Sequence, residues 1–271
     1  MKKLFLSFTL FLMLLHLAGC GAPSAPSQPE SSAPIVVAVI DTGFSPDAIP
    51  LKNTLAGKNY LDPQLDCRDT YGHGTAVASI ILERAPETLL VPLVSNAYDD
   101  GTIRQVDNEV LAQMIEDAVD VYHCDIINLS AGLALDKKSV RKAVAYAISQ
   151  NVPVICSAGN DYHYNGAVKY YPAGYEDTIA VGALTADGTS IAEFSQRGDW
   201  VDLYATGEAV TITTLSGSTR TSDGTSFSAA KVTAQTALLL AQNPDLTVAQ
   251  LTEQLLAQAQ SIDGDILCLV E

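Results

Sequence analysis

From residue 35 onward, short unbroken apolar runs alternate with longer stretches in which apolar residues recur every three or four positions. Ile35 to Ile40, Leu89 to Val94, Ile126 to Leu129, Val152 to Cys156 and Thr178 to Val181 have the length and composition of strands buried on both faces. Thr75 to Glu83, Val106 to Val119, Ser139 to Gln150, Ser226 to Gln242 and Leu246 to Gln260 carry helical spacing, the last with Thr247 as a cap candidate. Buried strands that alternate with helices imply a parallel sheet covered on both sides. The pattern predicts an α/β fold: a three-layer α/β/α sandwich with a mainly parallel central sheet. About 239 residues follow Ser32, enough for one large core. No internal repeat or second low-complexity segment interrupts them.

The first 19 residues read differently. Met1-Lys2-Lys3 is basic, and Leu4 to Leu17 is an apolar run of 14 residues, too short to span a bilayer comfortably and suited to a secretory signal. It ends in Leu17-Ala18-Gly19-Cys20, which resembles the lipobox of bacterial lipoproteins. That resemblance implies diacylation of Cys20 and attachment to the outer face of a membrane; an ordinary signal peptide with an incidental cysteine is the alternative. Two acyl chains hold a protein stably where one binds only marginally. Gly21 to Ser32 is Gly, Ala, Pro, Ser and Gln with one Glu, a composition suited to a flexible tether. The expected organisation is a leader over 1–19, a lipid-anchored tether over 20–34 and one folded domain over 35–271.

Charge narrows the partners. Asp and Glu number 31 against 15 Lys and Arg, a formal balance of −16, and loss of Lys2 and Lys3 with a leader deepens it by two. Such a chain should avoid nucleic acid and be repelled by an anionic bilayer surface, so the membrane contact rests on the lipid alone. A monomer is expected. Four cysteines remain besides Cys20, and Cys67, Cys124, Cys156 and Cys268 permit three full pairings. Cys124 and Cys156 lie in apolar runs, where a free thiol behaves as a small hydrophobe. Cys67 stands six residues before His73 and reads either as a reactive thiol or as a partly buried structural residue. No spacing suggests zinc, and no metal or cofactor is expected.

The densest chemical signal is Asp223-Gly224-Thr225-Ser226-Phe227-Ser228-Ala229-Ala230, a serine among small residues at the start of an apolar helix. Alone it reads as a helix cap. Two upstream segments change that: Val39-Ile40-Asp41-Thr42-Gly43 closes a strand pattern with an aspartate, and Tyr71-Gly72-His73-Gly74-Thr75 sets a histidine between glycines. A serine hydroxyl needs a base within hydrogen-bond reach. Beyond the leader only His73, His123 and His163 exist, and His73 alone opens a helix between glycines. Asp41, His73 and Ser226 follow the chain order aspartate, histidine, serine, each in a matching motif, and the chain resembles the subtilisin-like serine proteases (subtilases, the S8-type family).

The resemblance implies a serine endopeptidase acting on peptide or protein substrates through an acyl-enzyme. Ser226 would be the nucleophile, His73 the general base and then acid, and Asp41 the group that orients the imidazole. Ser157-Ala158-Gly159-Asn160 resembles the family segment whose asparagine donates to the oxyanion. Ser130, Ala131 and Gly132, within Asn128-Leu129-Ser130-Ala131-Gly132, resemble the strand that pairs with an extended substrate. Asp100-Gly101-Thr102 would form the opposite rim. The likeness continues through Tyr171-Pro172, Ile179 to Ala183, Phe194-Ser195 and Ala205-Thr206-Gly207, and so covers Ile35 to about Gln260.

Departures carry their own expectations. Phe227 stands where methionine commonly follows the nucleophile, Ala230 replaces a usual proline and Lys231 a usual histidine. The helix after His73 runs quickly to Ala85-Pro86, so the calcium loop of secreted relatives is expected to be missing. Only the tether precedes Ile35, which leaves no room for a folding-assisting propeptide. Asp161, Asp99 and Asp100 would line the cleft and favour cationic substrates. Two other classes compete with the endopeptidase: a catalytically inactive peptide-binding relative, and an esterase, against which Gly224 to Ser228 lacks the closing glycine of the nucleophile elbow.

Overall fold

The computed structural model describes residues 33–99, 101–262 and 266–269; the leader, Cys20, the tether as far as Ser32, and Asp100 lie outside them. In chain order the elements are β1 (Val36–Asp41), β2 (Lys58–Asn59), α1 (His73–Arg84), β3 (Leu89–Val94), β4 (Asn96–Asp99), β5 (Thr102–Gln105), α2 (Asn108–Asp120), β6 (Ile126–Leu129) and α3 (Lys138–Ser149). They continue with β7 (Val154–Ser157), α4 (Tyr162–Asn165), β8 (Ile179–Leu184), β9 (Leu203–Thr206), β10 (Val210–Thr213), β11 (Thr219–Ser222), α5 (Thr225–Gln242), α6 (Val248–Gln258), β12 (Gln260–Ile262) and β13 (Ile266–Cys268). No helix among the described residues is long and apolar enough to cross a membrane.

The main sheet runs β12-β13-β9-β8-β7-β6-β1-β3-β2 and is parallel except where β12 meets β13. Its central strands β1, β3, β6, β7 and β8 are buried on both faces, and alternate side chains serve two cores. Val37, Val39, Ile155 and Val181 pack beneath α1 and α5; Ala38, Ile40, Ile127 and Cys156 pack beneath α2 and α3. The predicted three-layer α/β/α sandwich is therefore the observed one. The strand order reverses at β1, since the chain passes from β1 to β3 on one side and then crosses to β6 on the other. Crevices for ligands open outside the carboxyl ends of strands at such a switch point.

Several elements escape a reading by period alone. The hairpin β4–β5 and the hairpin β10–β11 lie outside the main sheet; β5 is exposed throughout, and β10 buries only the alternate residues Val210 and Ile212. β8 continues to Leu184 past Gly182, where the apolar pattern breaks. A side chain at Gly182 would occupy the space of the Tyr204 ring, so this glycine is a packing requirement inside a strand and not its end. Thr247 does cap α6, in a reciprocal box with Gln250.

Two loops are pressed together where β1 ends and α1 begins. Gly74 N donates to Thr42 Oγ1 at 2.8 Å, and a Cβ on Gly74 would be driven into the carbonyl oxygen of Gly43. Backbone cannot yield as a flexible side chain can. Gly74→Ala is expected to cost about 1–3 kcal/mol, read as a lower denaturation midpoint at unchanged m-value.

Candidate active site

Asp41 is the last residue of β1 and is 1% exposed. A carboxylate this deeply buried must be met by donors. Thr42 N donates to its Oδ1 at 2.8 Å, and His73 Nδ1 lies 2.8 Å from Oδ1 and 2.9 Å from Oδ2. The pairing places the Nδ1 proton toward Asp41 and leaves Nε2 of the neutral ring as an acceptor. Burial pulls the His73 pKa down, but the charge and hydrogen bond of Asp41, with a contribution from Asp69, outweigh it and hold the value above the ordinary 6.5.

His73 is the first residue of α1, and a residue the sequence reading passed over sets that helix start. The Asp69 carboxylate, 4% exposed, accepts from Tyr71 N and Gly72 N through Oδ1, and from Thr75 N and Thr75 Oγ1 through Oδ2, all between 2.7 and 2.9 Å. It thus meets free N–H groups at the helix N-terminus and fixes the turn that carries the imidazole. An acidic residue shortly before a helix was the available signal.

Ser226 is the second residue of α5 and is 5% exposed. Thr225, also missed, is fully buried and orders the neighbouring strand end: its N and Oγ1 donate to Asn160 Oδ1 at 2.8 and 2.9 Å, and Gly159 N donates to its Oγ1 at 3.2 Å. With its carbonyl oxygen so occupied, the Asn160 amide keeps Nδ2 free to donate, on the side of Gly224. His73, Asn160, Ser226, Phe227, Tyr71 and Arg220 border one cavity of about 300 Å³. Among the described residues no hydrogen bond joins His73 to Ser226; such contacts commonly tighten only when substrate binds. The Phe227 ring lies 6.0 Å from the His73 ring and walls it from one side. A larger cavity of about 520 Å³ against β2 includes Cys67 but neither His73 nor Ser226, so volume does not mark the chemistry.

A family model described as the subtilase family matches residues 32–267. The chain belongs to the subtilase family. It is 33% identical over 231 residues to the minor extracellular protease Epr of Bacillus subtilis (strain 168), spanning 82% of this chain but only 34% of that protein. It is 30% identical over 246 residues to a subtilisin of Bacillus pumilus, spanning 86% of each. Among solved structures, the S41 psychrophilic protease matches with a TM-score of 0.75 at 27% identity, over 86% of this chain and 85% of that one.

Other predicted residues of this subtilase take varied places. Ser130, Ala131 and Gly132 follow the carboxyl end of β6, where Asn128 Nδ2 donates to Ser130 Oγ at 3.2 Å. They do not border the Ser226 cavity; Gly132 instead faces Tyr170. The β4–β5 hairpin does approach the site: Tyr98 meets Tyr71, a cavity residue, at 5.3 Å between ring centres. Asp100 and the Asp99 side chain lie outside the described residues. Asp161 lies outside the cavity lining. Its Oδ2 accepts from Tyr170 Oη and Asn165 Nδ2, its Oδ1 accepts from Gln196 Nε2 at 2.8 Å, and Arg220 rather than Asp161 borders the cavity. Partial burial raises the Asp161 pKa, but the hydrogen bonds from Tyr170, Gln196 and Asn165 outweigh it and hold the group below its usual range. The same three hydrogen bonds tie Asp161 into the segment that follows β7.

His163 falls in the one-turn helix α4, and His123 precedes β6 in a left-handed conformation; neither borders the site. All four described cysteines are free. Burial, with Asp66 nearby, pushes the Cys67 thiol up to about 11, which disfavours the thiolate. Among the described residues, no group of three or more His, Cys, Asp or Glu is arranged to hold a metal ion.

The raised His73 pKa gives a signed expectation. Its pairing with Asp41 stabilises the fold fully below pH 6.5, and that stabilisation is lost as pH rises through the folded-state value. Imidazole titration followed by NMR should give a His73 midpoint above 6.5, and Asp41→Asn should lower it, because burial then acts with less opposition.

Proposed function

We propose that this subtilase is a serine endopeptidase that works through Asp41, His73 and Ser226, with Asn160 as an oxyanion donor. The observation that supports the reading most is that both Asp41 oxygens bracket His73 Nδ1 while His73, Ser226 and Asn160 share one cavity. His73 Nε2 takes the Ser226 proton as Oγ attacks the substrate carbonyl carbon. The oxyanion is met by Asn160 Nδ2 and by the Ser226 backbone N–H at the start of α5. Asp41 stabilises the imidazolium, which then protonates the leaving amine. Water, deprotonated by the same imidazole, hydrolyses the acyl-enzyme. The substrate would lie extended along Ser130, Ala131 and Gly132, adding a strand by backbone hydrogen bonds. No cofactor enters this scheme.

The reading extends to the N-terminus. Cys20 would carry the lipid, and residues 20–34 would tether a monomeric peptidase to the outer face of the cell membrane. The acidic balance favours no contact with nucleic acid. The inactive, peptide-binding alternative differs in one measurable respect: a fluorophosphonate would leave Ser226 unlabelled.

Ser226→Ala and His73→Ala should each lower kcat on a peptide substrate by on the order of 10⁶, the loss the same triad shows in subtilisin. Asn160→Ala should keep residual activity, about 10²–10³ below wild type, as subtilisin does without its own oxyanion asparagine. Circular dichroism should report an intact fold in all three. Peptide hydrolysis by Ser226→Ala at the wild-type rate would sink the assignment. Cys20→Ser should move the protein to the soluble fraction or leave its leader uncleaved; membrane fractionation after normal processing would refute the lipid anchor.

A further inference from the structure

β6 and β7 are hydrogen-bonded neighbours, with Leu129 opposite Cys156. Beyond their carboxyl ends the chain continues as Ser130-Ala131-Gly132 on one side and Ala158-Gly159-Asn160 on the other. The two segments leave the same end of the sheet, where an open α/β fold places its ligand crevice, and Asn160, the last residue of the second, borders the Ser226 cavity. If Asn160 Nδ2 holds the oxyanion, the attacked carbon lies at the mouth of that crevice. The side chain one bond away, on the acyl side of the scissile bond, must enter beside Gly159 and along Gly132.

That space is taken. Tyr170 Cβ and Cγ would stand 3.2 and 3.5 Å from a Cβ added at Gly132, while its Cδ2 and Cε2 would stand 2.8 and 3.2 Å from one at Gly159. The ring therefore reaches from one wall to the other, and both walls are glycine. Gly159 has φ +116°, which an L side chain rarely adopts, so no other residue fits there easily. Tyr170 is also held in place. Its hydroxyl donates to Asp161 Oδ2, and Asp161 is gripped by Asn165 and Gln196. The next residue is bridged to the same wall: Leu133 N donates to Tyr171 O at 2.7 Å and Tyr171 N to Leu133 O at 2.9 Å. Gly174 N donates to Tyr170 O at 2.7 Å.

We propose that Tyr170 is a specificity-determining residue that plugs the acyl-side crevice and restricts this subtilase to peptides with a small residue, glycine or alanine, immediately before the cut. The inference rests on the endopeptidase reading of the same site. Opening the crevice should admit larger side chains, because filling an apolar pocket discriminates between side chains by about 10–200-fold.

The test compares kcat/KM for matched peptides carrying Ala, Leu or Phe before the scissile bond, with active enzyme counted by fluorophosphonate titration of the full chain. Wild type should favour Ala over Phe by at least about tenfold. Tyr170→Gly should raise the Phe substrate by at least about tenfold relative to Ala. Tyr170→Phe, which keeps the ring and loses the Asp161 bond, should retain the Ala preference. A wild type that cleaves Phe as fast as Ala overturns the proposal, whether or not Tyr170→Gly folds. So does a folded, titratable Tyr170→Gly with an unchanged Ala-to-Phe ratio. Wild type that no fluorophosphonate labels would overturn the endopeptidase reading itself, and the plug with it.

Discussion

The pairing of Asp41 with His73 is the contact on which the rest of the site depends. A carboxylate removed from water is costly unless its oxygens are met, and here one oxygen takes Thr42 N and both face His73 Nδ1. To satisfy them, β1 and α1 must approach closely, and Gly74 permits it by resting against Gly43. Asp69, the second buried carboxylate, holds the other end of the same turn through four hydrogen bonds. The imidazole is therefore oriented from the sheet and from the helix cap at once, and its proton affinity is set by both.

The Ser226 side follows the same logic with neutral groups. α5 is buried along almost its whole length, so its hydroxyls must find partners in the sheet. Thr225 takes Asn160 beyond β7, Thr233 donates to Asn128 on β6 at 2.9 Å, and Ser228 donates to Ala205 O on β9 at 3.0 Å. These bonds pin the helix against three strands and orient the Asn160 amide before any substrate arrives. Donors held in advance need no reorganisation as charge develops.

A third set of bonds holds the segment beyond β7. Asp161, one residue past Asn160, has the sequence appearance of a cleft charge, yet it accepts from Tyr170, Asn165 and Gln196. The carboxylate thereby anchors a ring that stands between Gly132 and Gly159. Arg220 contributes a basic group at the rim of the Ser226 cavity.

Much of this was legible in the chain. Val37 to Ile40, Leu89 to Val94 and Ile126 to Leu129 are strands because buried parallel strands carry apolar residues on both faces, and the helices between them followed from their spacing. The order of Asp41, His73 and Ser226 in their motifs pointed to the family. Local patterns do not encode which segments meet. Asp69 and Thr225 look like ordinary cap and loop residues until folding places Thr75 and Asn160 against them. The hairpins β4–β5 and β10–β11 escape because β5 and β11 bury nothing and β10 buries only Val210 and Ile212, too short a pattern to display a buried run. Tyr170 and Asp161 share the connection after β7, but the ring they hold meets Gly132 only because β6 and β7 are neighbours and both segments leave the same end of the sheet. Sequence by itself determined the layers and the reactive groups, since these depend on periodicity and residue chemistry. Tertiary structure alone decided where each charge points and how much room is left beside it, since both depend on residues far apart in the chain.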